Sequence, residues 1–210
     1  MAFKKNTITK EHIRRFESFP EAQSVFEDEN ANPADRLEAI DYMVQHQEIY
    51  YILQMLSKIF KESRVEDNKY IDYAFSGFKT KPKRQKDFQE MFTMLKSDNA
   101  YLRNAVITFL QEYGDEAKEF ILKLMDDEDK DIRIFAINIL GDVKYEESVD
   151  MLRRFIVKEE DVNALMTAID YLGEIGESQD IELLEAIKKD RADDAYVQFG
   201  IDMAISRIKG

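Results

Sequence analysis

The tetrapeptide Ala-Ile-Asp-Tyr occurs twice in this chain, at 39–42 and at 168–171. Weaker copies recur between and after them. A column of small residues runs Ala39, Ala74, Val106, Ala136, Ala168 and Ala204, in steps of 35, 32, 30, 32 and 36 residues. A period of this length marks a repeat architecture, in which each unit buries its apolar face only by stacking on a neighbour. That constrains the fold more than any other feature and leaves the function to the surface.

The unit around Ala136 shows what repeats. Ile132, Phe135, Ala136, Ile139 and Leu140 fall at helical spacing on one side. Asp131 stands where the helix should begin, and Gly141 where it should end. A second helix over about 146–158 carries Val149, Leu152, Phe155 and Ile156. One unit is therefore two antiparallel helices joined by a short turn. The same pattern predicts repeats over about 32–62, 67–96, 98–127, 129–158 and 161–189. An N-terminal capping region (1–30) precedes them, with an amphipathic helix over 9–27 interrupted near Pro20. A single helix over 193–209 caps the other end. The small column is expected where the two helices of one unit cross closely. Gly173 and Gly176 read as a helix ending in the turn between helices.

Composition agrees with helices. Hydrophobic residues make up 44% and charged residues 35%, and 7 Gly and 3 Pro leave few breakers in 210 residues. The chain has no cysteine, so thiolate chemistry and sulfur-ligated zinc are excluded. No secretory leader or membrane-length apolar run is read, which suggests a cytoplasmic protein. The net charge of -13 is uneven. Residues 1–96 balance, with 16 Lys and Arg against 16 Asp and Glu, whereas residues 97–210 carry 14 against 27. Such a surface repels phosphate backbones and suits a basic partner.

The unit built on Asp129, Ile132, Arg133, Ala136, Leu140 and Gly141 resembles the HEAT repeat, and more closely its short bacterial form, the phycobilisome-lyase type. Asp98, Leu102, Arg103 and Leu110 carry the likeness in the preceding unit, and Ala168, Leu172 and Gly173 in the following one. The resemblance implies an all-α, right-handed α-solenoid of about five antiparallel helix pairs, with the second helices on the concave side. It also implies that Asp98, Arg103, Asp129 and Arg133 link neighbouring repeats in a ladder. Leu165 and Ile201 stand in the arginine column of the last two units, so that ladder is expected to stop after Arg133.

The search for chemistry is short. His12 and His46 start no His-x-x-x-His pair, and the acidic run 126–129 lies between units without an EF-hand pattern. No phosphate loop or nucleophile elbow is present. No cofactor, metal or catalytic residue is predicted. The candidate binding residues are Tyr51, Met55 and Lys58, read as a groove surface off the buried stripe of their helix. A basic turn, Lys79, Lys81, Lys83, Arg84 and Lys86, reads as a solvated loop or an anion-facing patch. The expected function is a monomeric protein-binding scaffold. The alternative is a bilin-lyase-like or small-molecule carrier protein, suggested by the resemblance alone. Nucleic-acid binding through the basic turn is a third, weaker reading.

Overall fold

The computed structural model describes residues 14–62, 64–78, 81–143 and 145–210. Among the described residues there are twelve α-helices, two 3-10 turns and no strand. The α-helices are α1 (Phe19–Glu27), α2 (Pro33–His46), α3 (Ile49–Ile59), α4 (Asn68–Gly77), α5 (Gln85–Leu95) and α6 (Ala100–Tyr113). They continue as α7 (Lys118–Leu124), α8 (Lys130–Val143), α9 (Ser148–Lys158), α10 (Val162–Ile175), α11 (Asp180–Asp190) and α12 (Ala195–Lys209). None is long and apolar enough to cross a membrane.

A helix leaves its first amides without internal partners, and a short oxygen-bearing side chain just before it supplies one. Asn32, Asn99, Asp129, Asp161 and Asp194 do this for α2, α6, α8, α10 and α12. Each accepts from an amide two or three residues on, at 2.9–3.1 Å. Asp67 holds the same place before α4. The capping residues therefore recur at 32, 67, 99, 129, 161 and 194, and this corrects three sequence assignments. The cap of α8 is Asp129, and Asp131 lies inside its first turn. In the preceding unit the capping residue is Asn99, which is buried, and not the exposed Asp98. The small column lies seven residues after each cap, so α12 contributes Ile201 to it instead of Ala204. All these residues, Ala39, Ala74, Val106, Ala136, Ala168 and Ile201, are fully buried.

Contacts divide the chain into two compact units, one ending at Tyr113 and one beginning at Gly114. The predicted repeat 98–127 is cut by this boundary, with α6 in the first unit and α7 in the second. In the first unit α2 packs on α1 and α4, α4 packs on α6, and α3 packs on α5. Alternate helices thus lie side by side in two layers. Phe26, Phe60 and Tyr70 meet edge-to-face and stacked, with centroids 5.7–6.4 Å apart. All three rings are fully buried, and a buried ring of this size contributes about 1.5–3 kcal/mol. At the N-terminal end Pro20 sits in the opening turn of α1 and does not interrupt a helix; 14–18 are not helical. The rest of the predicted helix, 9–13, lies outside the described residues, as does His12.

In the second unit α10 packs on both α8 and α12, while α7, α9 and α11 pack against α8, α10 and α12 in turn. The glycines set the spacing of the first layer. Gly141 and Gly173 do not end helices; they lie inside α8 and α10. The Tyr171 ring of α10 occupies the space where a Gly141 side chain would stand. A Cβ on Gly173 would lie 2.8 Å from the Ala204 Cα of α12. The close approach that small residues allow is therefore seen between successive first helices, α8 with α10 and α10 with α12.

Gly173→Ala tests this packing. Helix propensity alone favours alanine by about 1 kcal/mol, but the clash with the Ala204 backbone is expected to outweigh it, with a net loss of about 1–3 kcal/mol. Urea unfolding of the full chain reads the difference, and an unchanged or raised midpoint would show that α10 and α12 can part at no cost.

Candidate interaction surfaces

The basic turn is solvent-facing at Lys81 and Lys83, yet several of its cations are tied to neighbouring helices. Asp87, at the third position of α5, accepts from the Lys83 and Arg84 amides at 3.2 and 3.1 Å and from the Arg84 guanidinium at 3.0 and 3.3 Å. Burial pushes the Asp87 carboxyl up, but these donors outweigh it and hold it below the usual carboxylate range. Arg84 also pairs with Glu48 at 2.6 Å. Lys86 lies 3.4 Å from Glu48 and over the rings of Tyr50 and Tyr51, at 4.5 and 5.2 Å. Lys81 donates to the Tyr113 carbonyl at 3.4 Å and covers that ring, while the Tyr113 hydroxyl donates to the Pro82 carbonyl. The cations of this turn brace the start of α5 against α3 and α6. Lys83 is exposed, and Lys79 lies outside the described residues.

The proposed groove residues of α3 separate. Tyr51 is 46% exposed and Lys58 is exposed, but Met55 is buried beside Ile52 and Leu56. The buried face of α3 is broader than the stripe read from the sequence. Met55 therefore fills the core between the helix layers and does not line a surface.

The linking residues form polar joints. Four residues after the caps stand Arg36, Arg103, Arg133 and Gln198, and each donates backward to carbonyls ahead of its own helix. Arg36 reaches Phe26, Arg103 reaches Ser97, Arg133 reaches Asp127 and Glu128, and Gln198 reaches Lys188 and Arg191. Gln198, not Ile201, is thus the α12 member of this column. Arg133 also reaches forward, holding Glu159 at 2.7 Å through two nitrogens. A pair outside that column links the second helices. Arg153 of α9 grips Asp180 of α11 at 2.5 and 3.1 Å. Burial raises the carboxyls of Glu159 and Asp180, but the arginines and backbone amides overcome it and leave both below the usual range.

On the first-helix layer of the N-terminal unit, tyrosine hydroxyls donate to aspartates one repeat back. Tyr73 bonds Asp41 at 3.1 Å and Tyr101 bonds Asp72 at 2.7 Å. Burial, then the neighbouring carboxylates, push both phenols up to about 12. In the C-terminal unit Asp170, the counterpart of Asp41 in the repeated tetrapeptide, accepts from Arg207 at 2.5 Å.

Sequence reasoning missed one surface. Tyr196, Phe199 and Met203 of α12 are 57, 66 and 44% exposed. With Met166, Tyr171 and Gly200 they line an open groove of about 500 Å³, edged by Asp170, Glu174 and Arg207. Reading α12 only for its inward stripe hid them, although their spacing of three and four residues was there to be read. Among the described residues no three His, Cys, Asp or Glu side chains group as a metal site.

Residues 117–199 match the family model for HEAT repeats. The match covers α7 to α11 and the start of α12, and it supports a HEAT-repeat protein over that stretch. Among curated proteins no match to the chain is found.

Three outcomes follow for the joints and the tyrosines. Arg153→Met leaves Asp180 buried without its main partner, so a loss of about 2 kcal/mol is expected in urea unfolding; a loss under about 0.5 kcal/mol would show the pair to be dispensable. The depressed carboxyls of Asp87, Glu159 and Asp180 contribute stability that is complete above about pH 4 and lost as pH falls through their folded values. Stability should therefore fall steeply on acidification, and less steeply in Asp180→Asn. At the alkaline end, the raised phenols of Tyr73 and Tyr101 contribute stability fully below pH 10 and lose it as pH rises towards about 12. Ultraviolet titration should show a late-ionising phase to which Tyr73 and Tyr101 contribute, and Tyr73→Phe/Tyr101→Phe should reduce its amplitude by two phenolates.

Proposed function

We propose that this chain is a non-catalytic protein-interaction scaffold. In this reading the helix pairs of each unit are turns of a right-handed α-solenoid, and the acidic C-terminal half takes a basic partner. The observation that carries it is the division of labour among side chains. The strongly held charges are committed to the packing: Arg133 with Glu159 and Arg153 with Asp180 join helices, and Arg84 with Asp87 closes the first turn of α5. Large apolar side chains, by contrast, face outward together on α12. The likeness of 117–199 to HEAT repeats adds support, since that repeat commonly specifies a binding shape and no reaction. The acid excess of residues 97–210 adds the preference for a cationic partner.

The test is reconstitution. A protein retained on the immobilised full chain is purified and titrated back onto it at rising ionic strength. Affinity is expected to fall about tenfold or more between about 0.05 and 0.5 M salt, because charge pairs between exposed groups are screened. A salt-insensitive complex would remove the basic-partner element. A tightly bound pigment or other small molecule, with no protein partner, would replace the scaffold with a carrier or lyase.

A further inference from the structure

We propose that the groove between α10 and α12 docks a lysine- or arginine-rich segment of another protein, whose bulky aliphatic side chains enter against Tyr171, Phe199 and Met203. This rests on the scaffold reading and names the surface and the chemistry of its occupant. Helix α12 already buries one face: Val197, Ile201, Ala204 and Ile205 are 5% exposed or less. A helix covered on one side normally turns polar residues to water on the other. Here Tyr196, Phe199 and Met203 form a second apolar stripe. Among the described residues the remaining exposed large apolar ones, Tyr51, Val65 and Val157, lie on separate elements.

The groove is built into the packing. Tyr171 lies across Gly141, and the Met166 methyl lies where a Gly200 side chain would stand, so both larger residues sink between the first helices. The space left open, about 500 Å³, falls within the roughly 300–1,000 Å³ of typical ligand pockets. It is sized for two or three side chains.

Charge selects the occupant. Asp170 and Glu174 line the groove, and Asp142 on α8 faces Tyr171 as well. Tyr171 reports their field: burial, and then Asp142, Glu174 and Asp170, raise its phenol. The cation at the rim, Arg207, is paired with Asp170 at 2.5 Å. The net field is negative, which repels acidic proteins and nucleic acid and attracts Lys and Arg. A second copy of the chain would set the same acidic rim against itself, because a two-fold contact pairs identical patches. A foreign basic segment meets no such repulsion.

The test uses the full chain and a fluorescent helical peptide with leucines three and four residues apart and lysines elsewhere. A counterpart carries glutamate at every lysine. Anisotropy is expected to show binding of the lysine peptide and none of the glutamate peptide. Phe199→Ser/Met203→Ser should weaken binding at least about tenfold; both positions are exposed, and circular dichroism confirms the fold. Glu174→Gln should weaken it severalfold at low salt only. Undiminished binding by the double variant would overturn the proposal, since the peptide would then be held by general charge attraction. Sedimentation showing a dimer that Phe199→Ser/Met203→Ser converts to monomer would assign the groove to a second copy and overturn it too. A reconstituted partner that binds the double variant as well as the parent leaves the scaffold standing and removes only this groove.

Discussion

The structure depends on a polar joint that recurs between helix pairs. Two helix ends meet at each joint, one with unpaired carbonyls and one with unpaired amides, and both are costly to bury. At five of six such starts a short acidic or amide side chain takes the amides, and at four of them a long donor four residues on takes the carbonyls. The joint at Asn99 shows the economy of this. One buried side chain donates to the Phe60 and Glu62 carbonyls and accepts from the Tyr101 and Leu102 amides. It ties the end of α3 to the start of α6. Leu165 stands in the donor column within α10 and cannot donate, and there Arg191 supplies a donor instead, reaching the Glu159 carbonyl at 3.5 Å.

Because these joints fix where each helix starts, they also fix which faces meet. Seven residues after a cap the helix presents its most buried position, and in five of six helices that position is Ala or Val. The exception, Ile201, comes at α12, where the close contact has moved to Ala204 against Gly173. Arg36 shows the limit of the scheme. One of its buried nitrogens has no hydrogen-bond partner, but the guanidinium lies 4.4 Å from the Tyr70 centroid and 5.4 Å from that of Phe26. The aromatic faces then carry part of the interaction with the charge.

Much of this was legible in the sequence. The period was read from the small column Ala39 to Ala204, and the paired helices from apolar stripes such as Ile132 to Leu140 and Val149 to Ile156, because helical spacing and small size are local signals. Register within a unit was less legible. Asp98 and Asn99 are adjacent and both are good caps, and only the path of the chain around Phe60 selects Asn99. Gly141 and Gly173 were misplaced for a similar reason. A glycine near a helix end usually signals termination, and nothing local announces that Tyr171 or Ala204 will press on it from the next repeat. Met55 failed because α3 buries a wider face than one stripe. The ties of the basic turn were not legible because its partners, Glu48 and Tyr113, are more than thirty residues away on either side.

The two units treat the outward side of their first helices differently, and this argues for where binding chemistry lies. In the N-terminal unit Tyr73 and Tyr101 are each tied to an aspartate, so their polar tips are satisfied within the layer. In the C-terminal unit the matching aspartate is held by Arg207, and the aromatic side chains of α12 stand clear of it. A surface that has exchanged internal hydrogen bonds for exposed rings gives up local stability unless something covers them. Those rings lie in the acidic half of the chain, so apolar surface and negative charge stand together there.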